Sequence, residues 1–198
     1  MIALLDNGQD LQTCGAELGT PVGQLLTPLT RYRLRNPALP WAIDNGGYSQ
    51  FDQEAFLALL AREDHHKERC LFVSAPDVVA SARRTLEIFD RWKDRLDGWK
   101  VALVAQDGQD DLPIPWDHCD AIFIGGSTKF KCSEGAGQIV RAAKILGKWV
   151  HIGRVNDSLR WKHFEAMGAD SCDGTGIARF THMRDGIRGR YDQGELLG

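Results

Sequence analysis

The chain has 198 residues, 43% of them hydrophobic and 26% charged, a length that supports one sizeable core and a balance that excludes both a disordered chain and a membrane-spanning one. Residues 1–198 are therefore read as a single domain. The formal net charge of −3 hides an asymmetry, because residues 125–190 hold 12 Lys and Arg against six Asp and Glu; either that half meets a polyanion or the surplus lies on solvated helix faces.

Met1-Ile2-Ala3-Leu4-Leu5 has no basic segment and soon meets Asp6 and Asp10, so no secretory signal is read and a cytoplasmic location is expected. Strands are expected at Ile2–Leu5, Trp41–Ile43, Cys70–Val73, Val101–Val104, Ala121–Ile124, Trp149–Ile152 and Ala169–Cys172. Their continuous apolarity predicts burial on both faces, as in a parallel sheet. Between the first two, Cys14–Pro40 carries Pro21, Pro28, Pro37 and Pro40 and reads as loop plus helix. Amphipathic helices are expected over Gln53–Arg62, Val78–Arg95, Gly135–Leu146 and Ser158–Met167, with Asp157 as an N-cap and Gly147 and Gly168 as left-handed stops. Five cysteines without paired CxxC spacing indicate reduced, mostly buried thiols rather than disulfides or zinc. His65-His66 reads as a solvated helix end, and the six tryptophans as packing, with Trp161 on a basic helix able to touch a nucleic acid.

Alternating βα units give the α/β class. Asp44, Asp77, Gln106, Gly125-Gly126, Gly153-Arg154 and Asp173 each follow a different strand, and six strand ends converge on one point only if the sheet closes. The expected fold is a small, irregular (β/α)8 TIM-type barrel with its site at the carboxyl ends of the strands. Seven strands are visible and the eighth is not.

Asp44-Asn45-Gly46-Gly47-Tyr48 combines a strand-end carboxylate, a tight glycine turn and a ring for stacking; a plain turn in which Asp44 caps a helix is the alternative. Asp173 lies among small residues in Gly168–Gly176 that leave it exposed, with helix capping again open. Two carboxylates facing one pocket suit chemistry at an anomeric carbon, and Asp77 with Gln106 can hydrogen-bond the edge of a purine-like base. Neither Gly125-Gly126-Ser127 nor Gly174-Thr175-Gly176 matches a phosphate-binding fingerprint.

These residues, in this order, resemble the tRNA-guanine transglycosylase superfamily, especially its short, often phage-encoded relatives that insert 7-deazaguanines into DNA. Asp44–Tyr48 is similar to the family's D-S-G-G-[FY] motif and Gly168–Gly174 to its G-x-D-x-x-D-C segment. Asp77, Gln106, Gly125-Gly126 and His151-Ile152-Gly153 fall where the family has a base-reading aspartate, a glutamine, a glycine pair and a strand ending in Met-Gly. The resemblance spans Trp41 to Phe180. It implies replacement of guanine by a 7-deazaguanine such as 7-cyano-7-deazaguanine, with Asp173 as nucleophile at C1′ and Asp44 as proton-handling partner. Tyr48, Asp77, Gln106, Gly125, Gly126, Ile152 and Gly153 would bind the base, and Arg179 and Arg154 the flanking phosphates, without cofactor or metal. The family's CxCxxC…H zinc site has no counterpart in the 25 residues after Asp173, Lys131 stands in place of a glutamate, and Gly174 in place of a cysteine. Those departures favour DNA as partner, with RNA open and a homodimer compatible. Two other readings stand beside it: a non-catalytic nucleic-acid-binding subunit of the same fold, and a phosphate-handling small-molecule lyase or isomerase.

Overall fold

The computed structural model describes residues 1–6, 10–29, 33–48 and 50–189. Eight strands pair in parallel with their sequence neighbours: β1 (Ile2–Leu5), β2 (Val22–Leu26), β3 (Trp41–Ile43), β4 (Cys70–Ser74), β5 (Val101–Ala105), β6 (Ala121–Ile124), β7 (Trp149–Ile152) and β8 (Ser171–Asp173). β8 returns to β1 in the register Ala3↔Cys172, so the sheet closes and leaves no edge. The helices are α1 (Leu11–Leu18), α2 (Gln53–Glu63), α3 (Ala82–Trp92), α4 (Thr128–Lys131), α5 (Glu134–Ile145), α6 (Ser158–Ala166), α7 (Thr175–Arg179) and α8 (Thr181–Arg188). This is a (β/α)8 barrel. It fits a short chain because the β5–β6 connection holds only 3₁₀ turns, Gln109–Asp111 and Trp116–His118, and no helix is found between β2 and β3 among the described residues.

Alternation along the strands sorts the core into two layers. Leu4, Leu25, Ala42, Phe72, Ala102, Val104, Ala121 and Phe123 fill the barrel interior. Their strand neighbours, among them Leu5, Leu26, Ile43, Val73, Leu103, Ile122 and Ile152, join the larger layer beneath the helices. Burial on both faces is why the strands read as unbroken apolar runs.

The segment expected as loop plus helix contains the missing eighth strand, β2. Its sequence, Val-Gly-Gln-Leu-Leu, lacks a β-rich signature for a local reason. A Cβ at Gly23 would lie 2.4 Å from the Pro40 carbonyl oxygen and 2.7 Å from Leu4 Cδ2, so only glycine fits there. Gln24 is fully buried: its Nε2 donates to the Asn36 carbonyl at 2.8 Å and its Oε1 accepts from Arg35 N at 2.9 Å. The strand expected at Ala169–Cys172 begins two residues later, because the Asp170 side chain instead accepts from Val150 N at 2.8 Å and from Lys144 Nζ. The helix expected from Val78 begins at Ala82, preceded by a loop in which Ala80 is left-handed (φ 61) and Thr85 Oγ1 accepts from Val78 N.

Elsewhere local chemistry agrees with the sequence. Asp157 caps α6 by accepting from Arg160 N at 2.7 Å, and Gly147 and Gly168 are left-handed at φ 68 and 93. Four cysteines are buried and Cys132 is exposed, all of them free. Trp161, expected as a possible nucleic-acid contact, is 2% exposed within the outer layer and reaches no surface partner. Among the described residues no helix is long and apolar enough to cross a membrane.

Candidate functional site

At the carboxyl ends of the strands lies a cavity of about 250 Å³ lined by Asp44, Tyr48, Asp77, Gln106, Gly125, Gly126, Gly153, Arg154 and Asp173. Nine of the eleven residues expected to form a site thus converge. A second lobe of about 150 Å³ opens beside it toward Leu5, Asp6, Gly174 and Ala178. Asp44, Asp173, Thr27 and Thr175 border both lobes, so the two carboxylates stand at their junction.

Two expected residues lie elsewhere. Ile152 is fully buried in the outer layer, since strand alternation turns His151 and Gly153 inward and Ile152 toward the helices. Arg179 is exposed at the end of α7 and lines neither lobe.

The β3–β5 side of the cavity is an amide and carboxylate network. Asn45 Nδ2 donates to the Ala75 carbonyl at 2.7 Å and to Asp77 Oδ1 at 2.9 Å, and Gln106 Nε2 donates to Asp77 Oδ2 at 2.6 Å. Gln106 Oε1 accepts from Ala80 N at 2.9 Å, which fixes the amide with its N–H groups toward Asp77. Burial pushes the Asp77 carboxyl up, partly opposed by the Asn45 and Gln106 donors. Asp44 accepts from Ser74 Oγ at 3.1 Å, and Gly46 N lies 3.5 Å from the same oxygen; α2 is capped by Asp52, not Asp44. Burial raises the Asp44 carboxyl to about 7, helped by the negative charges of Asp173 and Asp77.

On the opposite side, Asp173 Oδ1 lies 3.1 Å from His151 Nε2 and accepts from Arg154 N at 3.0 Å. Arg154 is left-handed (φ 56), a costly conformation for a side-chain-bearing residue that here aims its N–H at the carboxylate. Its guanidinium donates to the Gly126 carbonyl at 2.8 Å and lies 4.2 Å above the Tyr48 ring. A Cβ on Gly153 would lie 2.5 Å from Phe123 Cε1, so glycine keeps this wall open. Beneath it, the buried Lys131 ammonium donates to the Gly153 carbonyl at 2.5 Å and is held down to about 8 by burial and by Arg154.

Asn45 and His151 are functional candidates that motif reading left without roles. The signal for His151 was present: counting by twos from Gly153 along an inward-facing strand reaches it. The basic surplus is only partly available to a ligand. Lys131 and Arg184 are buried, and Arg141, Lys144 and Arg160 pair with Glu134, Asp170 and Asp157. Among the described residues no group of three or more His, Cys, Asp or Glu is placed to hold a metal ion.

No family model matches the chain, and no curated protein does. Among solved structures it is similar to an HpcH/HpaI aldolase from Desulfitobacterium hafniense DCB-2, at 14% identity over 96% of this chain and 92% of that chain, with a TM-score of 0.51. A phosphoribosyl anthranilate isomerase from Thermus thermophilus aligns at 14% identity over 99% of this chain and 100% of that one, with a TM-score of 0.48. At such identity the likeness to the aldolase establishes the fold alone, in agreement with the closed parallel barrel of this chain.

Proposed function

We propose that this barrel is an enzyme that exchanges guanine in DNA for a 7-deazaguanine through a covalent Asp173–sugar ester. The observation that carries this reading is the position of Asp44 and Asp173 at the junction of two lobes. One lobe offers Asp77, Gln106 and Tyr48 to a planar base. The other, bordered by Thr27 and Thr175, suits a sugar with hydroxyl groups. An anomeric carbon placed between them meets both carboxylates.

Asp173 Oδ2 attacks C1′ as the C1′–N9 bond breaks, and the bonding pair leaves with guanine, which takes a proton from Asp44. The incoming 7-deazaguanine returns its N9 proton to Asp44 as that nitrogen attacks C1′, and the ester bond breaks with its electron pair returning to Asp173. A carboxyl raised to about 7 serves both directions, being neither always loaded nor always empty at neutral pH. The target base must leave its stack to reach this depth, and the exposed Lys129, Lys162 and Arg179 stand on the elements that follow β6, β7 and β8.

The test is incubation with duplex DNA and labelled guanine or 7-cyano-7-deazaguanine, with tRNA in parallel, read by nucleoside mass spectrometry. Incorporation into DNA is expected. Incorporation into tRNA alone would overturn the choice of partner, and incorporation into neither would overturn the reaction.

A further inference from the structure

A chain of polar contacts runs down the interior of the barrel from the site. Trp149 Nε1 lies 2.9 Å from Ser171 Oγ, that oxygen lies 2.9 Å from His151 Nδ1, and His151 Nε2 lies 3.1 Å from Asp173 Oδ1. The register makes this possible, because His151 on β7 is the direct partner of Ser171 on β8. Its centre is dry: His151 and Ser171 are fully buried, and the imidazole packs 4.5 Å from the Phe123 ring and 5.0 Å from the Phe72 ring.

Donor and acceptor chemistry gives this chain one direction. An indole N–H can only donate, so Ser171 Oγ accepts from Trp149. The Ser171 hydroxyl proton then has one acceptor within reach among the described residues, the Nδ1 lone pair of His151. With Nδ1 accepting, the ring proton sits on Nε2 and points at Asp173 Oδ1. The opposite tautomer would set the Nε2 lone pair against a carboxylate oxygen and leave the serine proton unplaced.

We infer that His151 is a positioning residue, locked by Trp149 and Ser171 as its Nε2–H tautomer so that it pins Asp173 through Oδ1 and leaves Oδ2 facing the pocket. His151 and Arg154 N both bond Oδ1, and among the described residues nothing bonds Oδ2. This rests on Asp173 being the nucleophile. When Oδ2 carries the sugar, the two donors remain on Oδ1 and stabilise the charge that returns to the carboxylate as the ester breaks.

Two measurements test it. The first needs no substrate: two-bond ¹⁵N–¹H correlations on the whole protein assign the His151 tautomer, and Nε2–H is expected, with the signal altered in Ser171→Ala. An Nδ1–H tautomer overturns the inference whatever the protein catalyses. The second compares His151→Gln, which keeps a donor near the position of Nε2, with His151→Phe, which keeps the ring packing against Phe72 and Phe123 but has no donor. Base exchange is expected to fall about ten- to a hundredfold more in the phenylalanine variant, the worth of one hydrogen bond to a charged group, with pH profiles recorded for both. A merely structural role predicts the reverse order, and wild-type exchange by His151→Phe sinks the inference. If the unaltered protein exchanges no base, the proposed reaction fails, and the tautomer alone decides the placement of His151.

Discussion

The two walls of the pocket hold carboxylates by different means. On the β3–β5 wall, Asp44 and Asp77 meet a hydroxyl and two side-chain amides, neutral donors that only partly offset their burial, and both carboxyls are raised. On the β7–β8 wall, Asp173 meets an imidazole and a strained backbone N–H on one oxygen, in the field of the Lys131 ammonium, while the Arg154 guanidinium lies over Tyr48 and acts on Asp77 across the pocket. In the proposed reaction one residue type thereby serves two tasks, holding a proton on one wall and offering an oxygen on the other. The acidic and basic halves of the sequence supply these walls in chain order, so the charge asymmetry is a property of the site as well as of the surface.

The largest effect should come from the β7–β8 wall. Asp173→Asn is expected to abolish both exchange and any covalent DNA adduct while leaving thermal unfolding within a few degrees, because an amide cannot form the ester. Turnover like that of the unaltered protein would remove the contrast between the walls. On the β3–β5 wall, Asp44→Ala should slow exchange by roughly two to four orders of magnitude yet still allow an adduct to be trapped through Asp173. A destabilised but fully active Asp44→Ala protein would reduce Asp44 to a turn residue.

A stability measurement sharpens the same comparison. The folded Asp44 carboxyl, at about 7, lies above its ordinary 3.8, so between those values the folded state holds a proton that the unfolded chain has released. Stability therefore falls as pH rises through that window and is level above it. Asp44→Asn escapes the loss and should be more stable than the unaltered protein at pH ~8, by on the order of a few kcal/mol, with the gain vanishing near pH ~4. Denaturant unfolding at the two pH values checks this, and a variant less stable at the higher pH would contradict it.

Smaller is the effect expected from Asn45→Ala, which strips one amide from Asp77 and leaves the Ala75 carbonyl without its partner, costing about 1–3 kcal/mol in chemical unfolding. Smallest is the salt response. With Lys131 and Arg184 buried and three other cations paired, DNA affinity should fall with salt at a logarithmic slope of only about −4, from roughly one contact each by Lys129, Arg154, Lys162 and Arg179. A slope near −10 would require many more phosphate contacts than these four and would overturn this account of the surface.

Legibility followed the range of the interactions. Strands buried on both faces announce themselves by unbroken apolarity, and a carboxylate or amide just past a strand stands out against the apolar run; hence Asp44, Asp77, Gln106 and Asp173 are legible. β2 was hidden because its identity depends on residues remote in sequence: Gly23 answers to Leu4 and Pro40, and Gln24 to Arg35 and Asn36. Ile152 was misplaced because matching a motif ignores the alternation that sends neighbouring side chains to opposite faces. For His151, position was readable from that alternation, but its partner Ser171 follows only from the β7–β8 register.

The stacking of Arg154 on Tyr48 also bears on how a base is held. The two residues follow β7 and β3, strands on opposite sides of an eight-stranded ring, so their contact is a crossbar over the mouth. A base that settles on that face of Tyr48 must first displace the guanidinium, forgoing about 0.5–1 kcal/mol of cation–π attraction. In the proposed reaction the same guanidinium, once released, is free to meet the phosphate that arrives with the base. Loading and release in that reaction then share one swinging group, and a contact this weak parts far faster than turnover, so it tunes how tightly the base is held rather than the chemical rate.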